Sequence, residues 1–333
     1  MSENQKNSNS TEYLQKFTYR SYDGKFQPRW MRVLYLIRFE LISTWRKSKF
    51  AKGLMIVVLV FNLFTITYAA TLNLEFITGQ KFVVRDALNE SIARYLAMDG
   101  SAILPDPNGI SYGLGTGFGL LILMIFGIGG SGLFADDKSG KVVEIYLSRL
   151  EKREYIMGKI GAIVIYINIF VLLPLLITGI LYVQSLEKKH EDFLDFYIGI
   201  ITFSLICSII LGLFILVLSI LVEKRSYASL IFFLVFLFGS IVGAIMAEEN
   251  IENEFLLLVS PSNFLMLLAY VCLGDYELGV RKGEGEKVKY YELILNDGVG
   301  LEYWHVFLQA FLLIIIFTLI LTYKIWKMTT EEL

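Results

Sequence analysis

Charged side chains are scarce in this sequence. Asp, Glu, Lys and Arg make up 19% of its 333 residues, against about a quarter in an ordinary soluble domain. What charge there is avoids the middles of the long apolar runs. That excludes the relay of ionisable groups at mid-membrane on which ion- and proton-coupled carriers depend. Histidine is scarcer still. His190 and His305 are the two present, far apart in sequence and each beside an apolar run, so a zinc-protease helix and a catalytic triad both lack their parts. The two cysteines, Cys207 and Cys272, lie within apolar runs and read as small buried hydrophobes. Neither a disulfide framework nor a Cys-based metal site follows from them. The P-loop is missing too. Gly24-Lys25, Gly140-Lys141 and Gly158-Lys159 are followed by Phe26, Val142 and Ile160, where that motif requires Ser or Thr. Gly127–Gly132 fits G-x-G-x-x-G, but it lies inside an apolar run and not after a strand of a soluble βαβ unit. Small residues there let helices approach closely and bend.

What the chain does have is apolar length. Hydrophobic residues make up 55% of it. The apolar blocks run to about 20 residues with five prolines in the whole chain, which favours a helical bundle over a β-barrel with alternating blocks of about 10. The reading is an all-α membrane protein of about six transmembrane helices, near residues 53–73, 112–135, 160–183, 196–222, 227–247 and 305–323. Each is long enough to cross a hydrocarbon core of about 30 Å. Pro174 is expected to kink the third. The polar residues left within the spans, Asn62, Thr65, Thr67, Asn168, Thr178, Ser204, Ser208, Ser219 and Gln309, are expected to hydrogen-bond between helices.

The remaining segments fall between and before these spans. Residues 1–27 are rich in Asn, Ser and Lys and lack the apolar core of a signal peptide, so they read as a disordered cytoplasmic tail. Residues 28–52 place Met31, Leu34, Ile37, Leu41 and Trp45 at helical spacing among Arg32, Arg38, Arg46, Lys47 and Lys49. That pattern predicts a basic amphipathic helix in the headgroup layer, with the lipid bilayer as its partner. The membrane domain occupies 53–325, with external segments 74–111 and 248–304, and 326–333 form a second cytoplasmic tail. Asn89-Glu90-Ser91 matches a glycosylation sequon, meaningful where 74–111 is external. Residues 255–273 are apolar, but Ser260-Pro261-Ser262-Asn263 divides them into pieces too short to cross, which predicts an interfacial or re-entrant helix.

Between the second and third spans lies the most highly charged stretch separating two such runs, 136–159, DDKSGKVVEIYLSRLEKREYIMGK. Burying that many charges in hydrocarbon would cost several kcal/mol each, on the order given for intramembrane ions. Its cations, Lys138, Lys141, Arg149, Lys152, Arg153 and Lys159, hold it on the cytoplasmic side. Most of the 30 Lys and Arg residues fall before residue 53, in this loop, in the turn 223–225 and in the C-terminal tail. That distribution places both termini in the cytoplasm of a multi-pass plasma-membrane protein.

The loop also carries a resemblance. Ala135-Asp136-Asp137-Lys138-Ser139-Gly140, Val143–Arg149 and Arg153–Lys159 resemble the region after the second span in type 2, exporter-like ABC transporter permeases. The family often has Pro after Leu-Ser, where this chain has Arg149-Leu150. A basic helix containing Arg38-Phe39-Glu40-Leu41, about six spans, a short fourth-to-fifth turn and a broken external segment extend the resemblance from about Trp30 onward. It implies a chain that transports but is not an enzyme and holds no cofactor. Its partners would be a cytosolic ATP-binding subunit and a second permease, itself or a relative, with nucleic acid not among them. It implies a coupling surface at Glu144, Leu147, Ser148, Arg149, Arg153, Glu154, Gly158 and Lys159, with a smaller one at Glu223, Lys224 and Arg225. The alternative is a non-transporting membrane scaffold or sensor that uses the external segments.

Overall fold

The computed structural model describes residues 28–47, 52–53, 56–57, 60, 123–140, 142–147, 150–185, 191–248, 258–273 and 303–331. These residues form helices and turns, with no strand among them. In chain order the helices are α1 (Arg29–Lys47), a helical stretch over 123–130, α2 (Gly132–Ser139), α3 (Val143–Leu147), α4 (Lys152–Ser185), α5 (Glu191–Leu221), α6 (Arg225–Glu248), α7 (Pro261–Leu273) and α8 (Tyr303–Glu331). Three stretches are long and apolar enough to cross a membrane: Lys152–Leu173, Tyr197–Leu221 and Trp304–Lys327. They make this a multi-pass membrane protein. Most of the first expected span, the segment 74–111 with its sequon, and residues 274–300 lie outside the described residues.

The bundle is built around α5. Its apolar window is 67% buried, against 17% for that of α8. A helix that is apolar all round has no polar side to offer water and takes the centre. Phe203, Cys207, Leu211, Ile215 and Leu216 are fully enclosed, with α2, α4, α6, α7 and α8 arranged about them. Lipid tails are as apolar as these side chains, so close packing and interhelical hydrogen bonds hold the helices together. The glycine run over 127–132 serves that packing. A methyl group on Gly129 would collide with the Tyr166 ring, and one on Gly130 would sit 2.7 Å from Ile215 and 2.8 Å from Ile163.

The same run breaks at Ser131, a turn between residues 130 and 132. Ser219 of α5 accounts for the break. Its hydroxyl accepts from the Phe134 N–H at 3.1 Å and the Ala135 N–H at 3.0 Å, and donates to the Ser131 carbonyl at 2.6 Å. Ala135 N–H and Ser131 C=O are the pair that would bond in a continuous helix, so a side chain inserts at that rung, a recognised cause of helix kinks. The other interhelical polar expectations that fall on described side chains divide. Asn168 Nδ2 donates to Ser208 Oγ at 2.8 Å, and Gln309 Nε2 donates to the Leu258 carbonyl at 2.7 Å. Ser204 instead bonds back to its own helix at Ile201. The α4 backbone stays helical through Pro174.

Within the apolar segment 255–273 lies α7, whose 13 residues reach about 20 Å at 1.5 Å per residue, short of a crossing. Pro261 opens it, a position where the missing N–H costs nothing. Ser260 fastens this end by donating to the Gly239 carbonyl at 2.8 Å. Gly239 leaves room there, since a methyl would lie 2.7 Å from the Pro261 ring. Phe264, Leu265, Leu267 and Leu268 are buried among α5, α6 and α8. The helix is thus packed within the bundle.

Gly130→Val is expected to lower stability by about 1–3 kcal/mol, the usual cost of overpacking, read as a lower thermal unfolding midpoint in detergent. Met157→Val, at a position 64% exposed, is expected to leave the midpoint nearly unchanged.

Candidate functional site

The charged loop is more helical than its composition predicts. The apolar run ends at Ala135, yet α2 continues to Ser139; the next run begins at Ile160, yet α4 starts at Lys152. Hydropathy marks where charge begins, while the backbone goes on closing helical bonds past that point. The extension puts Asp137 on the end of α2 and Tyr155 and Lys159 on the first turns of α4. Tyr155 and Lys159 are four residues apart and therefore share a face.

That face is buried. The Lys159 side chain has no exposure at all. Its ammonium has three donors and no acceptor, and three oxygens surround it: Asp137 Oδ2 at 2.6 Å, the Leu133 carbonyl at 2.6 Å and Glu40 Oε1 at 2.7 Å. Tyr155 Oη donates to the same Asp137 oxygen at 2.7 Å. The rings of Tyr155, Tyr146 and Phe134 stand 5.3, 5.7 and 5.9 Å from Nζ, within the range at which a cation is drawn to a ring face. Burial, then the carboxylates of Glu40 and Asp137, push the Tyr146 phenol up to about 12, so it stays neutral at any physiological pH. One lysine thus ties together α1, α2, the short helix α3 and the start of α4.

α1 is fastened along the same line. Arg29 pairs with Glu151 at 2.8 Å and Arg32 with Glu154 at 3.3 Å. The Glu154 carboxylate also accepts the Glu151 N–H at 3.2 Å, which caps the first turn of α4. Between these pairs and Glu40, Leu36 lies against Gly158 and Ile37 against Gly161, where a methyl would come within 2.6 Å of Ile37 Cδ1. These pairings run in one direction, so α1 lies alongside the first turns of α4. The exposed Arg29–Glu151 pair contributes little. The buried Lys159 group differs, because removing the cation leaves two carboxylates without it in a low-dielectric site.

The structure therefore divides the residues expected at the coupling surface. Lys159, Gly158 and Glu154 lie inside the chain's own packing, and Leu147 is half-buried against the core. Arg153 is exposed, as are Glu223 and Lys224, while Arg225 is half-buried. Ser148, Arg149 and the Glu144 side chain lie outside the described residues. The two expected surfaces are adjacent: Arg225 Nη1 is 3.9 Å from Asp136 Oδ2. Two residues were given no role of their own in the sequence. Ile145, on the same short helix as Leu147, is 60% exposed, and nothing in a five-residue helix marks in advance which apolar side chain faces out. Glu40 had no local signal, being 119 positions from Lys159. Among the described residues, no group of three His, Cys, Asp or Glu side chains is placed to hold a metal ion.

No protein-family model matches the sequence, and no curated protein matches it.

Lys159→Met is expected to destabilise the protein by about 3–5 kcal/mol, the cost of stranding buried charge. The triple variant Glu40→Gln, Asp137→Asn, Lys159→Met is expected to regain most of that loss. Thermal unfolding midpoints in detergent compare the two, and a single variant as stable as the wild type would mean that the buried group does not form.

Proposed function

We propose that this chain is the membrane-spanning permease subunit of an ATP-driven ABC transporter of the type 2 class, working as an exporter. It has about six spans, both termini in the cytoplasm, and acts as a dimer with itself or a related permease. A separate cytosolic ATP-binding subunit supplies the energy through the loop 136–159, and the turn 223–225 makes a smaller contact.

One observation carries this reading: the buried Lys159 group joins the loop to three membrane-proximal elements at once. A transporter of this kind needs a surface that a soluble motor can push and a stiff connection from that surface to the spans. Packed interiors transmit such displacements because they deform little. Arg153, Lys152, Glu223 and Lys224 supply exposed charge, and Ile145 supplies exposed apolar surface. Glu154, Gly158 and Lys159 take a different part: they position the surface and do not touch the motor. Mid-span charge, the other means of driving transport, is missing from the apolar cores.

The test uses charge reversal at exposed positions alone. Arg153→Glu with Lys224→Glu should leave membrane insertion and thermal stability unchanged, because neither side chain is enclosed. It should sharply reduce recovery of a Walker-motif ATPase co-purified from native membranes. If the wild-type protein captures no ATP-binding subunit, or the reversed protein captures as much of it, the proposal fails. Reversal at Glu154 would not discriminate, since that side chain is buried against Arg32.

A further inference from the structure

The polarity of α1 is turned round relative to a helix on a soluble core. The side it presents to α4 carries Leu36 and Ile37 but also Arg32 and Glu40. The side turned away carries Trp30, Leu34, Tyr35, Phe39, Ile42 and Trp45, between 38% and 61% exposed. Arg38 and Arg46 are exposed among them. Glu40 is the one acidic residue of the helix, and it points inward to Lys159. The outward face is therefore apolar, aromatic and cationic, with no acidic group to offset the charge.

We infer that this outward face of α1 binds anionic lipid headgroups of the inner membrane surface. Arg38 and Arg46 meet phosphate oxygens while the aromatic side chains seat among the upper acyl carbons. Level and charge both argue for that occupant. The inner face of α1 docks on residues 151–161, the beginning of the candidate span Lys152–Leu173, so whatever surrounds that end of the span also surrounds the outer face of α1. Trp and Tyr favour that boundary, and cations beside it draw anionic lipid. A second copy of the same face is a poor fit, since paired cations would oppose each other. The inference shares with the proposed function the placement of this end of α4 at the inner surface, and it needs no ATPase.

The test keeps Trp45 as the single tryptophan in the full-length protein (Trp30→Phe, Trp304→Phe, Trp326→Phe). The protein is reconstituted in vesicles of one fixed mixture of phosphatidylcholine and phosphatidylglycerol. Bromine is carried on the acyl chains of one lipid or the other, so that only the quencher's location changes. Brominated phosphatidylglycerol is expected to quench Trp45 more strongly per molecule. Arg38→Gln with Arg46→Gln should erase a local enrichment on the order of tenfold, as two lost surface cations imply. Equal quenching by the two labelled lipids would overturn the inference. So would a Trp45 open to aqueous acrylamide, or one shielded from lipid and water alike by another protein. Since no ATPase enters the measurement, its outcome is separate from that of the co-purification test.

Discussion

An ammonium group taken fully out of solvent must have its donors met, and Lys159 sets that condition for this end of the molecule. The required oxygens come from three places in the chain: Glu40 on α1, Asp137 at the end of α2, and the carbonyl of Leu133. Without α1 the lysine would lose a carboxylate; without α2 it would lose both other partners. The aromatic rings around it exclude water, which strengthens the charge interactions and raises the cost of breaking any one of them. The loop is held in place by this demand.

The break at Ser131, ahead of Leu133 and Asp137, depends in turn on the centre of the bundle. Ser219 inserts its hydroxyl at Ser131 from α5, and the glycines just before it let α4 and α5 come close. Small residues, one serine and one lysine thus form a continuous mechanical series from the middle of the bundle to the charged loop. Arg225 extends the series to the turn between α5 and α6. The exposed faces of that turn and of the loop share one end of the bundle, the arrangement a soluble motor would need in order to grip both.

Much of this was legible in the sequence and some of it could not have been. The long apolar stretches in α4, α5 and α8 follow from hydropathy, because nothing else in a sequence keeps charge away for so many residues. The division at Ser260-Pro261 and the packing role of the glycines follow from side-chain size and the missing proline N–H. The helix ends did not follow, since composition changes at Ala135 while the backbone of α2 continues to Ser139. The inward turn of Lys159 could not be read either. A lysine at the edge of an apolar run ordinarily reaches for water, and the carboxylate that draws it inward is remote in sequence. For α1, spacing revealed an amphipathic helix but not which side meets the protein. Leu34 and Trp45, expected on one apolar stripe with Ile37, face away from it.

The central claim is that α1, the loop and the start of α4 behave as one rigid piece because of Lys159. Spin labels at Arg46 and Arg153, both exposed, test it directly in a Cys207→Ala, Cys272→Ala background. A pulsed electron–electron distance measurement should give one narrow distribution in the wild-type protein and a clearly broader one in Lys159→Met. Distributions of equal width in the two proteins would contradict the account.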